Sequence, residues 1–165
     1  MKNLFFILMT GGFAVLSCRN EDENIRRIDQ IIQLYIDSSG QDMLNSKIPG
    51  SYTEIKINDV YGVTDTAPVI VSLKKDADTV TYLEYVADAK RITIDSTAAF
   101  QIYESKLALE LTKKINDSTR FVTNDTLKIQ YESRQEIFQV SKIWYNNVLK
   151  FTKTDQALNV VKISK

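Results

Sequence analysis

Histidine is absent from this chain, which has one cysteine, five glycines and two prolines in 165 residues. Without histidine, Ser-His-Asp and Cys-His nucleophile systems cannot be assembled, and the commonest zinc ligand is missing. The glycines stand at positions 11, 12, 40, 50 and 62, with none beyond. A phosphate-cradling loop or a Gly-x-Ser-x-Gly elbow needs closely spaced glycines, so neither has a place after Gly62, and no nucleotide or other cofactor is expected. A single cysteine, Cys18, excludes an internal disulfide. Charge imbalance is lacking too, with 21 basic against 21 acidic residues and the basic ones scattered singly or in pairs such as Arg26-Arg27, Lys74-Lys75 and Lys113-Lys114. Nucleic acid, whose binding depends on clustered positive charge, is not an expected partner.

What is present begins with MKNLFFILMTGGFAVLS, where Lys2 precedes a mostly apolar run from Leu4 to Leu16 and a small Ser17. A charged start, an apolar middle and a small residue at the end make a secretory signal peptide over residues 1–17. The run is shorter than the ~20 apolar residues that cross a bilayer, and Thr10-Gly11-Gly12 interrupts it. Val15-Leu16-Ser17-Cys18 resembles a bacterial lipobox, the recognition site of the lipoprotein signal peptidase. The resemblance implies cleavage between Ser17 and Cys18, a diacylglyceryl group on the cysteine sulfur and an acyl group on its freed amine. Each buried CH₂ contributes ~0.8 kcal/mol, and two or more chains make such an anchor stable. The other reading of Cys18, a free buried thiol, conflicts with its position between an apolar run and an acidic one.

Loss of Lys2 with the leader takes the 21 basic residues to 20, against 21 acidic. Residues 18–23 then form an acidic tether, Cys18-Arg19-Asn20-Glu21-Asp22-Glu23. It resembles the short acidic signals of surface-exposed Bacteroidota lipoproteins, and it also reads as a solvated spacer between lipid and domain. The resemblance implies an outer-membrane lipoprotein of the cell envelope that meets the membrane only through its lipid. No domain family is evident in residues 24–165, a length suited to one domain.

In that domain, Ile25, Ile28, Ile32 and Tyr35 recur at spacings of three, four and three, which predicts a helix closed by Ser38-Ser39-Gly40. The period then shortens to two over 52–57, 68–74, 79–86 and 90–94, all rich in β-branched and aromatic residues. The second and third of these flank Lys75-Asp76-Ala77-Asp78 and predict a hairpin, with Pro68 at a strand start. Phe100, Tyr103, Leu107, Leu111 and Ile115 sit at helical spacing among Ala, Glu, Leu and Lys, so residues 96–115 are expected to form a second helix. Leu107, Leu109 and Leu111 alternate as a strand would. Strands follow over 126–132, 136–145, 148–152 and 158–164 as an antiparallel meander, with Asn146-Asn147 as a tight turn and Trp144 in the core. The expectation is α+β: antiparallel sheet covered by two helices, as two helix-plus-four-strand halves, 24–95 and 96–165. The alternative, an all-β sandwich with an N-terminal helix, follows if 96–115 is extended.

Carboxylates are the remaining catalytic resource. A glycosidase needs two of them ~5 to 9.5 Å apart, and Glu84, Asp88, Glu104 and Glu110 are candidates that double as solvated surface. Asp76-Ala77-Asp78 begins like a calcium loop, but Val80, Thr81 and Tyr82 follow where further ligands are required. No metal ligand set and no catalytic residue is therefore assigned. Asp precedes Ser or Thr at six of its thirteen positions, where composition gives about two. Five of these triplets resemble the O-glycosylation acceptor of Bacteroidota envelope proteins, with Thr66, Thr79, Ser96, Ser118 and Thr126 as the middle residues. The same pairs are turn and cap chemistry.

The functional expectation is a lipid-anchored, non-catalytic binding or accessory subunit of an outer-membrane or surface complex, with a protein or glycan partner. The alternatives are a carboxylate-dependent glycan-degrading enzyme and an inhibitor or immunity-type lipoprotein. Protein recovered from a Bacteroidota host should carry labelled fatty acid, and its intact mass should exceed peptide plus lipid by whole glycan units. A mass equal to peptide plus lipid refutes the glycosylation.

Overall fold

The computed structural model describes residues 26–165, and among them every regular element is a strand. In chain order these are β1 (Arg27–Asp29), β2 (Ile31–Ser38), β3 (Gln41–Asp42), β4 (Tyr52–Asp59), β5 (Val71–Lys75) and β6 (Thr81–Val86), followed by β7 (Ile92–Ser96), β8 (Gln101–Lys114), β9 (Arg120–Ser133), β10 (Ile137–Tyr145), β11 (Val148–Thr152) and β12 (Asn159–Ser164). One sheet runs β1-β10-β9-β8-β4, with β11 also on β10 and β7 also on β8. The other runs β12-β2-β6-β5, with β3 also on β2. The inner faces of both contribute to a single core that includes Leu34, Leu83, Leu109, Ile129, Tyr131, Ile143 and Val161.

The fold is all-β, which corrects the expectation of α+β. Residues 27–38, read as a helix, are strands. Ile32, Leu34 and Ile36 are buried at a period of two, while Gln33, Tyr35 and Asp37 alternate with them. An isoleucine-rich segment satisfies both periods on paper. Its β-branched side chains favour the pleated surface, and β2 is a central strand, parallel to β12 and antiparallel to β6. Gly40 does adopt positive φ (81°), but Ser39 does so as well (52°), which makes a β2–β3 hairpin turn instead of a helix cap.

The second expected helix, 96–115, is mostly the fourteen-residue strand β8. It pairs with β9 along its whole length, from Gln101↔Ser133 to Lys114↔Arg120. Ser105, Leu107, Leu109 and Leu111 point into the core while Glu104, Lys106, Ala108 and Glu110 point away. Helix propensities among such residues differ by only ~0.7 kcal/mol or less per position. Burial of one leucine contributes ~1.5–3 kcal/mol, so three aligned leucines with a ladder partner outweigh the local preference.

Each expected strand segment overlaps a strand, although β5 begins at Val71 instead of Pro68 and β9 begins at Arg120. The expected four-strand meander holds for β9–β10–β11, but its fourth strand, β12, lies in the other sheet parallel to β2. Asn146 and Asn147 both take positive φ (47° and 66°) in the β10–β11 turn. The two chain halves do not form separate sheets: β1 joins β10, and β12 returns to β2. Trp144 departs from its expected core position. A bulge between Val140 and Lys142 shifts the alternation by one, so Val140, Ile143 and Tyr145 are buried. Trp144 lies on the outer face, with the Lys128 Nζ 4.4 Å from its ring.

Purified mature chain should show a strand-type far-UV dichroism spectrum without a helical double minimum. Asn147→Val should cost about 1–2 kcal/mol in urea unfolding, because a β-branched residue resists positive φ. Asn147→Gly should cost nothing, and equal losses for the two variants would contradict the turn geometry.

Candidate functional site

The site is generated by the way β4 hands over to β5. The end of β4 and the segment after its loop start as a hairpin: the Asp59 amide donates to the Ala67 carbonyl at 2.8 Å and the Val69 amide to the Ile57 carbonyl at 3.2 Å. An isolated bridge joins Asn58 to Pro68 between these bonds. Pro68 thus precedes β5 by three residues instead of opening it. Two side chains fix the loop between: Asn58 Oδ1 accepts from the Ala67 amide at 2.6 Å, and Asp59 accepts from the amides of Tyr61 at 2.9 Å and Lys90 at 2.7 Å. Gly62 is obligatory here, since a Cβ would stand 2.3 Å from that of Ala67. Beyond Val69 the two strands part company. β4 stays with β8 in one sheet, and β5 joins β6 in the other.

Where they splay, the sandwich is open. Val71 and Leu73 lie opposite buried Tyr85 and Leu83 on β6 and so belong to the inner face. Leu73 is nevertheless 52% exposed, on the edge strand of its sheet among the described residues. A cleft of about 340 Å³ lies between Thr53, Glu54 and Ile55 on one wall and Val71 and Leu73 on the other, with Leu83 among its lining. A larger cavity of about 620 Å³ shares Ile55 and Val71 and extends past Pro68 and Thr66 to Ala108 and Thr126. Ladder bonds on the β4 wall go to β8 and those on the β5 wall go to β6. Each wall therefore presents a strand edge to the cleft, the feature that templates pairing with another chain.

The four candidate carboxylates do not gather. Glu84 is paired with Lys74 at 2.6 Å on the β5–β6 hairpin, and Asp88 is exposed in the loop after β6. Glu104 accepts from the Tyr61 hydroxyl at 2.9 Å, and Glu110 lies 3.2 Å from the Lys56 Nζ. Both stand on the outer face of β8, six residues apart, which is ~20 Å of extended strand and beyond glycosidase reach. Asp76, the first residue of the calcium-like run, uses one oxygen to accept from the amides of Asp78 and Val80. Among the described residues, no three His, Cys, Asp or Glu side chains come together to hold a metal ion.

Four of the five acceptor residues lie on exposed backbone. Thr66 is in the β4–β5 loop, Thr79 in the β5–β6 turn at φ 65°, Ser96 at the end of β7, and Ser118 in the β8–β9 turn. Thr126 differs: it is half-buried within β9, and its amide donates to Asn146 Oδ1 at 2.8 Å. Ser17 and Cys18 lie outside the described residues, as does the acidic tether.

Sequence reading missed the polar cluster beneath Thr126. The Asp125 side chain is 4% exposed and pairs with the Lys165 Nζ, itself 22% exposed. Asp125 also accepts from the Tyr145 hydroxyl at 2.8 Å and from Asn146 Nδ2 at 2.6 Å. The ammonium of Lys165 stands 5.6 and 5.7 Å from the rings of Tyr52 and Tyr145. Burial alone would push the Asp125 carboxyl up. The bonds donated by Lys165, Asn146 and Tyr145 outweigh burial together and hold it below the ordinary carboxylate range. The Tyr145 hydroxyl is driven up, first by burial and then by its bond to Asp125. A general acid would need the opposite shift at its carboxyl, so this cluster is a fastener between β9, the β10–β11 turn and the residue after β12.

Compared with family models, with curated proteins and with solved structures, the chain matches none. Among the described residues there is also no helix long and apolar enough to cross a membrane.

A carboxyl held low in the fold adds stability above its unfolded pKa of ~3.9, and that stability is lost as pH falls through the lower folded value. The urea midpoint should therefore fall more steeply below about pH 4 in the wild type than in Asp125→Asn. Asp125→Ala, which strands a partly buried ammonium, should cost roughly 3 kcal/mol. Identical pH profiles for wild type and Asp125→Asn would contradict this assignment.

Proposed function

We propose that this chain is a lipid-anchored, non-catalytic binding protein of the bacterial envelope, tethered at Cys18, that takes up an extended segment of a partner protein between β4 and β5. The observation that carries it is the half-exposed Leu73 on an inner face. A sandwich that closed on itself would bury that side chain, whereas strand addition covers it. The added segment would supply main-chain bonds to a free edge and place alternate apolar side chains against Ile55, Val71 and Leu73. Five residues of β5 set the scale of the contact, ~17 Å of strand. The lipobox-like Val15-Leu16-Ser17-Cys18 supports the envelope location, and its acylation would hold the open edge near other envelope proteins. Glu104 and Glu110, ~20 Å apart along β8, are not spaced as a glycosidase pair, which favours the binding reading.

Photo-cross-linkers placed separately at Thr53 and at Leu73 in intact cells test the reading from both walls. Both should trap the same protein, with cross-links falling in one short stretch of its sequence. Leu73→Lys should weaken that capture at least tenfold, about 1.4 kcal/mol, without lowering the unfolding midpoint. Cross-links scattered over unrelated proteins, or capture unaffected by Leu73→Lys, would sink the cleft as the binding surface. Cys18→Ala addresses the tether alone, and purified Cys18→Ala protein should still bind the trapped partner.

A further inference from the structure

A second pocket lies away from the β4–β5 cleft, where β1, the loop between β6 and β7, and the start of β8 meet the β9–β10 hairpin. Its volume is about 450 Å³, and its lining includes Arg26, Gln30, Arg91, Tyr103, Ser133 and Phe138. The Arg91 guanidinium stands 4.8 Å from the ring centres of both Tyr131 and Phe138, which are stacked with centroids 5.6 Å apart. Arg26 approaches the Phe138 ring at 5.8 Å. Two cations thus converge on one aromatic pair.

Neither cation has an anionic partner among the described residues. Arg91 donates to the Gln30 side-chain oxygen at 3.1 Å and to the Ala87 carbonyl, and Arg26 donates to the Ser133 hydroxyl. The Nε of Arg91 is buried with no acceptor among the described residues. Nearby carboxylates are engaged elsewhere: Asp29 with Lys153 and Glu132 with Arg134. Asp88, whose charge acts on Tyr131, makes no ion pair with Arg91 among the described residues. Two other cations drawn into the fold are held differently, since Lys153 at 5% side-chain exposure and Lys165 at 22% each have an aspartate. Ring contacts contribute ~0.5–2 kcal/mol, which is small against removing a guanidinium from water unpaired.

The rest of the lining narrows the chemistry. Gln30 and Ser133 are neutral groups suited to hydroxyls, and Tyr103 and Phe138 offer apolar ring surface for a pyranose face. A bidentate oxyanion matches the guanidinium fork. We infer that this pocket binds an acidic sugar residue, its carboxylate held by Arg26 and Arg91 and its ring set against Tyr103 and Phe138. This site is independent of the β4–β5 cleft and of the proposal for it.

Titration of ¹⁵N-labelled mature protein with glucuronate, followed by amide shifts, is the test. Glucose tests the need for charge, and acetate tests the need for the ring. Glucuronate at millimolar concentration should shift amides at Arg26, Gln30, Arg91 and Phe138, with glucose about tenfold weaker, the scale of one charge-assisted hydrogen bond, and acetate also about tenfold weaker through loss of the ring contacts and hydroxyl bonds. Added salt should weaken glucuronate binding. Arg26→Gln, a change at an exposed residue, should reduce affinity by a similar factor while leaving the remaining spectrum in place. Acetate binding as well as glucuronate overturns the sugar assignment. Equal binding of glucose, shifts confined to other surfaces, or an unchanged affinity in Arg26→Gln overturns the site.

Discussion

The unbroken ladder between β8 and β9 is the constraint on which the remaining architecture rests. Fourteen consecutive residue pairs make one hairpin longer than any strand that flanks it. β8 therefore accepts two short neighbours on its other side, β7 near its beginning and β4 near its end. β10 repeats the arrangement, with β1 and β11 sharing its outer side. Short strands can leave such a spine without breaking it. That freedom lets the chain after β4 cross to the second sheet as β5, and the opening beside Leu73 is the consequence.

Three cations drawn into the fold are held in two different ways. Lys153 with Asp29 and Asn159, and Lys165 with Asp125 and Tyr145, are closed sets in which every buried charge meets its opposite. Such sets tie strands distant in sequence, because leaving one member unpaired costs more than the pair gains. Arg91 differs: it is held by rings and neutral oxygens, with one nitrogen unbonded among the described residues.

Much of the strand pattern was legible because alternation leaves a local mark. Tyr52 to Ile57 read as a strand and lies within β4, and the segments read at 79–86 and 136–145 contain β6 and β10. Asn146-Asn147 read as a tight turn because few other residues tolerate positive φ. Residues 27–38 and 101–114 misled because Ile-rich and Leu-rich segments satisfy a period of 3.6 and a period of two alike. The bulge that turns Trp144 outward left no mark, since register depends on the partner strand. The β4–β5 cleft was invisible for the same reason: Leu73 reads as an ordinary inward strand residue, and only the sheet order makes β5 an edge with that side chain half-exposed.

The amino-acid sequence determined the chemistry excluded by the missing histidine, the strand segments with strong alternation, and the turn at Asn146-Asn147. These are properties of one residue or of near neighbours, and no distant contact is needed to express them. Tertiary structure alone decided that the ambiguous segments are extended, that Asp125 meets Lys165, and that Arg26 and Arg91 share a pocket. Each of those depends on partners separated by tens of residues, where burial and ladder pairing outweigh preferences of less than ~1 kcal/mol per residue.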